Sequence, residues 1–336
     1  MVAAITESLS RPIQIGSLSL SHNVMVSPMA SVTDAPFLRL CARGGSALMC
    51  GEMLSAQAIH YGSKKTLALL RFSPDERPVT SQIMGAEPAV MAEAARMIEG
   101  RGADVIDVNA GCPVPKVVKT RSGSALLKDE KRFAAILSAI VEAVKIPITV
   151  KIRIGLRENE YLAPALAKLA EDCGVAAVIV HARPVSKKHS GRPDWEGLAQ
   201  VVQAVKIPVI GNGGVNTPQD ALDFLKISSC AGVSVGRASI GDPGIFSRIQ
   251  KFLLTGELFP GPTYLEKLET LWQHAQGAAE FSGERTGLLR LRKIIPYYIA
   301  GFPNATAFRQ RANRIETLKE WADLLEGTRQ KLSEIA

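Results

Sequence analysis

Eight short runs rich in Val, Ile and Met recur between residues 23 and 237, and their regular return constrains the fold more than any other feature. They read "NVMVSPM" (23–29), "ALMCGEM" (47–53), "PVTSQIMG" (78–85), "DVIDVNAG" (104–111), "PITVKIRIG" (147–155), "VAAVIVHAR" (175–183), "IPVIGNGG" (207–214) and "AGVSVGR" (231–237). Each closes on a Gly, Pro or Asn signal, and amphipathic stretches lie between them, at 88–100, 122–145, 159–173, 195–205 and 217–227. Near-continuous β-branched runs suit strands covered on both faces. Strands alternating with helices predict parallel pairing. Eight such units close most simply into an α/β (β/α)8 TIM barrel, with a doubly wound open sheet as the alternative.

Beyond about residue 240 the strand signals stop. "GDPGIFSRIQKFLLTG" reads as the last barrel helix with Gly256 as its stop, and "ELFPGPT" as a linker. From 263 to 336 the pattern is helical throughout. The expected division is a catalytic barrel over 1–245 and an all-helical C-terminal domain over 246–336. No apolar run is long enough for a membrane span, and "MVAAITESLS" has no signal-peptide character. Five cysteines, Cys41, Cys50, Cys112, Cys173 and Cys230, are scattered without a CxxC pair, which predicts reduced thiols, no metal site and a cytoplasmic setting. A net charge of +8 fits a polyanion partner, but it also fits a merely basic enzyme.

Chemistry in a barrel of this kind sits where strands end. The seventh run ends in Gly211-Asn212-Gly213-Gly214 and the eighth in Gly236-Arg237, the two loops that commonly hold a phosphate. Lys151 and Arg153 stand two apart in an apolar strand, where burial is costly unless they meet anions. A reduced flavin is one such ligand for Lys151. Gln82 can read a planar heterocycle or simply bond to backbone. His181 and Arg183 end the sixth run. Pro28 and Met29 end the first, ahead of a helix that Thr33 or Asp34 can cap.

Cys112 follows the fourth run, whose Asp107 and Asn109 share a face, and Gly111 and Pro113 frame it. It can be a thiolate nucleophile, which requires a lowered pKa, or a general acid. The reference pKa of a thiol, about 8.5, already suits the second role at pH 7. Lys116 is near in sequence, and spacing does not choose between the roles.

With these residues assembled, the chain resembles the dihydrouridine synthases, in particular their bacterial B-type branch. The resemblance rests on "SPMASVTDAPF", "SQIMG", "DVNAGCPVPKV", "GSALL", "VKIRIG", "VHAR", "IPVIGNGGV" and "VGRA", in order over 13–245, and more weakly on "LRKIIPYYIAGFPNATAFRQRANRIET". It implies an FMN-containing barrel, a helical RNA-binding domain, and NADPH-dependent reduction of the uridine C5=C6 bond in RNA, normally tRNA. By that likeness Pro28, Met29, Ala30, Gln82, Lys151, His181, Asn212, Gly213, Gly214, Gly236 and Arg237 hold FMN. Hydride goes to uracil C6, and Cys112 is the acid that protonates C5. Asn109, Arg153, Arg183 and Lys116 are the expected substrate contacts. A ribosomal RNA substrate, or a free small molecule, is the alternative.

The likeness also places RNA over basic clusters at Lys116, Lys119 and Arg121; at Arg183, Lys187, Lys188 and Arg192; and at Arg290, Arg292, Lys293, Arg309, Arg311 and Arg314. No membrane and no obligate protein partner are expected. The chain departs from the family pattern at Ser31, where Gly is usual, and at His181-Ala182-Arg183-Pro184, where His-Gly-Arg-Thr is usual. It departs again at Gly244 and in "RKI". These positions bear on substrate contacts rather than on the FMN set.

Overall fold

The computed structural model describes residues 9–333. All eight expected runs are strands: β3 (Val24–Val26), β4 (Met49–Ser55), β5 (Val79–Met84), β6 (Val105–Asn109), β7 (Ile148–Arg153), β8 (Ala177–His181), β9 (Val209–Asn212) and β10 (Gly232–Val235). They form one parallel sheet in the order β3-β10-β9-β8-β7-β6-β5-β4. The ends meet through Ala47 N–H to Val24 O (2.9 Å) and Val26 N–H to Ser46 Oγ (2.9 Å), so the ring is nearly closed without a ladder between β3 and β4. The barrel architecture is therefore observed, and the open doubly wound sheet is set aside.

Two further strands precede it. β1 (Ile13–Ile15) and β2 (Leu18–Leu20) form an antiparallel hairpin outside the eight expected runs. Ile13, Ile15 and Leu20 are buried, and the turn at Gly16 lies against Pro147 and Ala176, just before β7 and β8 begin. The hairpin thus closes the end of the barrel opposite the strand C-termini.

The helices follow the amphipathic stretches. Asp34 caps the helix Ala35–Arg43, accepting from Phe37 N–H, while Thr33 bonds back to Met29. The stretch expected at 122–145 is broken. A 3₁₀ segment Gly123–Lys128 ends at Asp129, whose carboxylate caps the helix Glu130–Ala143. Helix Ile245–Thr255 packs on Pro218–Ser228 and ends at Gly256 (φ +75°), so it completes the outer ring of the barrel, C-terminal to the expected 245/246 division.

The remaining helices are Tyr264–Ser282, Glu284–Leu291, Ile295–Tyr298, Ala305–Ala312 and Leu318–Ser333. The last two interrupt one long helical pattern, because Thr317 and Glu320 form a new N-terminal cap. Tyr264, Phe302, Phe308 and Trp321 run through this bundle ring to ring at 4.9, 6.5 and 6.3 Å. No helix among the described residues is long and apolar enough to cross a membrane.

Candidate active site

Parallel register sets the polar residues side by side before any side chain is considered. Gln82 pairs with Asp107, Asp107 with Thr149, Asn109 with Lys151, Arg153 with His181, His181 with Asn212, and Asn212 with Ser234. Buried polar groups of this kind are normally hydrogen-bonded, and most of these find partners in the neighbouring strands or loops. Asp107, buried, accepts from Gln82 Nε2 (2.6 Å) and from Thr149 Oγ1 (2.7 Å). Gln82 Oε1 accepts from Asn109 Nδ2 (2.9 Å), and Asn109 Oδ1 accepts from the backbone N–H of Cys112 (3.0 Å). The chain of bonds runs from the barrel interior to the cysteine loop.

Above this network lies a cavity of about 790 Å³ at the C-terminal ends of the strands. Every residue of the expected FMN set lines it, as do Cys112, Asn109, Arg153 and Arg183. Lys116 is exposed on the short helix Pro115–Lys119 and is not among the lining residues. Six lining residues are Lys or Arg, none is Asp or Glu, and Cys112 is the one thiol.

Lys151 Nζ donates to Asn212 Oδ1 (3.2 Å), and Asn212 Nδ2 is tied to Ser234 O (2.7 Å). Burial, and then the charge of Arg153, push the Lys151 ammonium down to about 8, against the opposing pull of Asp107. Burial raises Asp107 to about 6. His181 is driven well below its ordinary value by burial and by the neighbouring cations, so its imidazole is neutral at pH 7.

Arg153 is placed differently from a free substrate contact. Its guanidinium collects carbonyls: Gly111 (2.8 Å) beside the cysteine, and Lys188 (2.7 Å), Pro184 (3.3 Å) and Arg183 (3.4 Å) in the sixth loop. It joins the cysteine loop to a loop whose Lys188 is held at φ +49°. Arg183 donates to Gly191 O (2.9 Å) within the same loop. That loop also brings His189 to the cavity, stacked on His181 with ring centroids 5.9 Å apart. The sequence offered only the histidine in "VSKKHSG" as a sign of it. Lys293, Ile294 and Tyr297 reach the cavity wall from the helical bundle, so both parts of the chain build it.

The glycines in the loops after β9 and β10 have separate reasons. Gly213 sits at φ +118°, and a Cβ there would come within 2.9 Å of His181 Cδ2. At Gly236 a Cβ would meet nothing closer than Met29 Sδ at 3.8 Å. That wall is therefore open for a ligand to approach the backbone. No cluster of His, Cys, Asp and Glu among the described residues could hold a metal ion.

A nearly closed parallel barrel with a cationic, thiol-bearing cavity at its strand C-termini has the layout of a barrel enzyme. The dihydrouridine synthase family model matches residues 25–334, so the chain belongs to that family of flavin-dependent oxidoreductases. It is 42% identical over 304 residues to a probable tRNA-dihydrouridine synthase of Rickettsia conorii, covering 90% of this chain and 91% of that one. It is 39% identical over 304 residues to tRNA-dihydrouridine synthase B of Xanthomonas axonopodis, covering 90% and 92%. Among solved structures, a 2-naphthoyl-CoA reductase matches with a TM-score of 0.60 at 14% identity, over 73% of this chain and 52% of that one. Morphinone reductase matches with a TM-score of 0.54 at 14% identity, over 72% and 89%. At that identity these two share the fold alone.

Proposed function

We propose that the chain reduces uridine to 5,6-dihydrouridine in tRNA, with FMN in the barrel cavity and NADPH as the reductant. The observation that carries this reading is the lining itself: six cations, no carboxylate, and a single thiol fixed by its own backbone N–H. FMN and RNA both bring phosphates to such a cavity.

The residues that would hold FMN are Pro28, Met29 and Ala30 at one wall, Gly213, Gly214, Gly236 and Arg237 at the phosphate end, and Gln82, Lys151, His181 and Asn212 at the ring. Bound there, reduced FMN would supply a hydride to uracil C6. The protein does the rest. Lys151, held in place by Asn212, would stabilise negative charge on the reduced ring. Gln82 directs its amide nitrogen at Asp107 and its oxygen at Asn109, which fixes its amide in one orientation at the cavity wall. Hydride addition leaves charge on the C4 carbonyl side of the uracil, and an acid must protonate C5 as that charge grows. The family likeness gives this role to Cys112, and two observations support it: the thiol's residue lines the cavity with its loop tied to Asn109, and no carboxylate lines the wall. Arg153 keeps the Cys112 loop and the sixth loop together, a positioning role. Asn109 and Arg183 face the target nucleotide. Reaching the base requires that it leave its stack, and the exposed Lys116 stands outside the cavity on the path of the RNA backbone.

The test is nucleoside mass spectrometry of RNA, mapped to position, with and without the gene, alongside the absorbance of the purified protein. A yellow protein and loss of dihydrouridine at defined tRNA positions are expected. An unchanged set of dihydrouridines, or loss confined to ribosomal RNA, contradicts the reading.

A further inference from the structure

A second cavity, of about 520 Å³, opens beside the first. It runs between the loop after β10, the linker at Gly261-Pro262, and the helical bundle at Lys267, Pro296, Tyr297 and Ala300. The two cavities share Arg237, Ala238, Ile240 and Tyr297 as their dividing ridge. Among the residues lining either one, Tyr297 is the only Tyr, Phe or Trp.

The position of Tyr297 is built from both sides. Its neighbour Tyr298 is fully buried and bonds to His274 Nδ1 (2.8 Å), which pins the short helix Ile295–Tyr298 inward. On the barrel side, Gly241 (φ +80°) lies so close that a Cβ would meet the backbone of Tyr297 and Tyr298 at 2.9 Å. With its backbone held this way, Tyr297 leaves its side chain outward, 41% exposed. A rigid aromatic at this exposure costs little entropy when it stacks on a ligand. Lys293 lines the first cavity, Lys267 the second and Arg237 both, and Lys267 Nζ donates one bond to Ala300 O (3.2 Å). The only carboxylate in the second cavity, Asp242, is paired with Arg248.

An aromatic face among cations, along an open groove, is the arrangement that binds single-stranded nucleic acid. We propose that this groove is a second nucleotide site, in which the base next to the extruded uridine stacks on Tyr297 and its phosphate lies against Lys267. The proposal rests on the RNA reading of the first cavity. It gives the ridge a purpose: one nucleotide enters the barrel, and the adjoining one is caught at the rim, so the strand is held open on the side of the bundle.

The test uses the FMN-loaded full chain and pentauridylates carrying 2-aminopurine on either side of the central uridine. Quenching of 2-aminopurine is expected in one of the two placements. Tyr297→Phe should keep both quenching and affinity. Tyr297→Ala should lose the quenching and weaken binding by about tenfold, the scale of one base–aromatic stack, with flavin absorbance unchanged. Unaltered quenching and affinity in Tyr297→Ala, while the wild type forms dihydrouridine, overturns the site and leaves the RNA reading standing. A raised KM for NADPH with RNA affinity unchanged also overturns it and gives the groove to the reductant. A wild type that neither binds the oligonucleotides nor forms dihydrouridine in tRNA overturns both.

Discussion

The barrel mouth and the helical bundle solve opposite problems. At the mouth, polar side chains are buried, and each is held by named partners: Asp107 by Gln82 and Thr149, Asn212 by Lys151 and Ser234, Arg153 by four carbonyls. In the bundle the interior is nearly all apolar around Trp321, Leu271, Leu288 and Phe308, and Arg309, Arg311 and Arg314 are exposed. A buried network gives its members one geometry, which chemistry on a single base requires. Exposed cations keep their freedom, which suits a long polyanion whose contacts are many and individually weak. The difference teaches where precision is located in this molecule: in the strand register, and not in the charge of the bundle.

That contrast can be broken most sharply at Asp107. Asp107→Leu leaves the Gln82 amide and the Thr149 hydroxyl without their partner, at a cost of about 2 kcal/mol for a buried group left unsatisfied. Denaturant midpoints should show that loss, and FMN retention should fall with it. Asp107→Asn can keep both bonds, since its oxygen still accepts from Gln82 and the Thr149 hydroxyl can turn to accept. Its stability should stay near the wild type, and an equal loss in both variants would break the network account.

Lys151 gives the next largest effect. Its ammonium is charged below about 8 and is lost as the pH rises through that value. An anionic ligand that needs the charge should therefore bind more weakly at high pH, by about tenfold from pH 7 to pH 9 if the ligand keeps the lysine protonated. Titration of the apoprotein with reduced FMN measures this. The dependence should disappear in Lys151→Gln, and a dependence of the same size in that variant would assign it to another group.

The bundle should respond least. Arg309→Ala should weaken tRNA binding by roughly two- to threefold and reduce the slope of affinity against salt by about one, with stability unchanged. Filter binding across a salt series reads both. A tenfold loss that salt does not modulate would mean that the bundle, too, holds RNA by fixed geometry.

The same contrast explains what could be read before the structure. A lysine, a glutamine or an asparagine inside a Val/Ile run stands out, so the strand-borne residues of the cavity were visible in the sequence together with the eight strands. Other features depend on contacts that no local pattern encodes. Arg153 reads from its strand as a ligand contact, and its further role of tying two distant loops through their carbonyls is not encoded locally. Tyr297 and Tyr298 are chemically identical neighbours, and it is Tyr298 that packs inward on His274. The β1–β2 hairpin carries a plain alternation in "IQIGSLSL", yet its place under the barrel follows from tertiary packing. The break between Ala305–Ala312 and Leu318–Ser333 turns on a cap at Thr317 that competes with a continuous helical period. Ser31, where the family favours glycine, does adopt φ +62°, and its N–H is held by Glu52 (2.7 Å).

The central claim is that the Cys112 thiol delivers the proton that completes uracil reduction. Purified FMN-loaded Cys112→Ala, incubated with unmodified tRNA transcript and NADPH, measures it directly by nucleoside mass spectrometry. Dihydrouridine should form at least about a hundredfold more slowly than with the wild type, the lower range of general-acid catalysis, while flavin content and tRNA affinity stay unchanged. Formation at the wild-type rate would contradict the account.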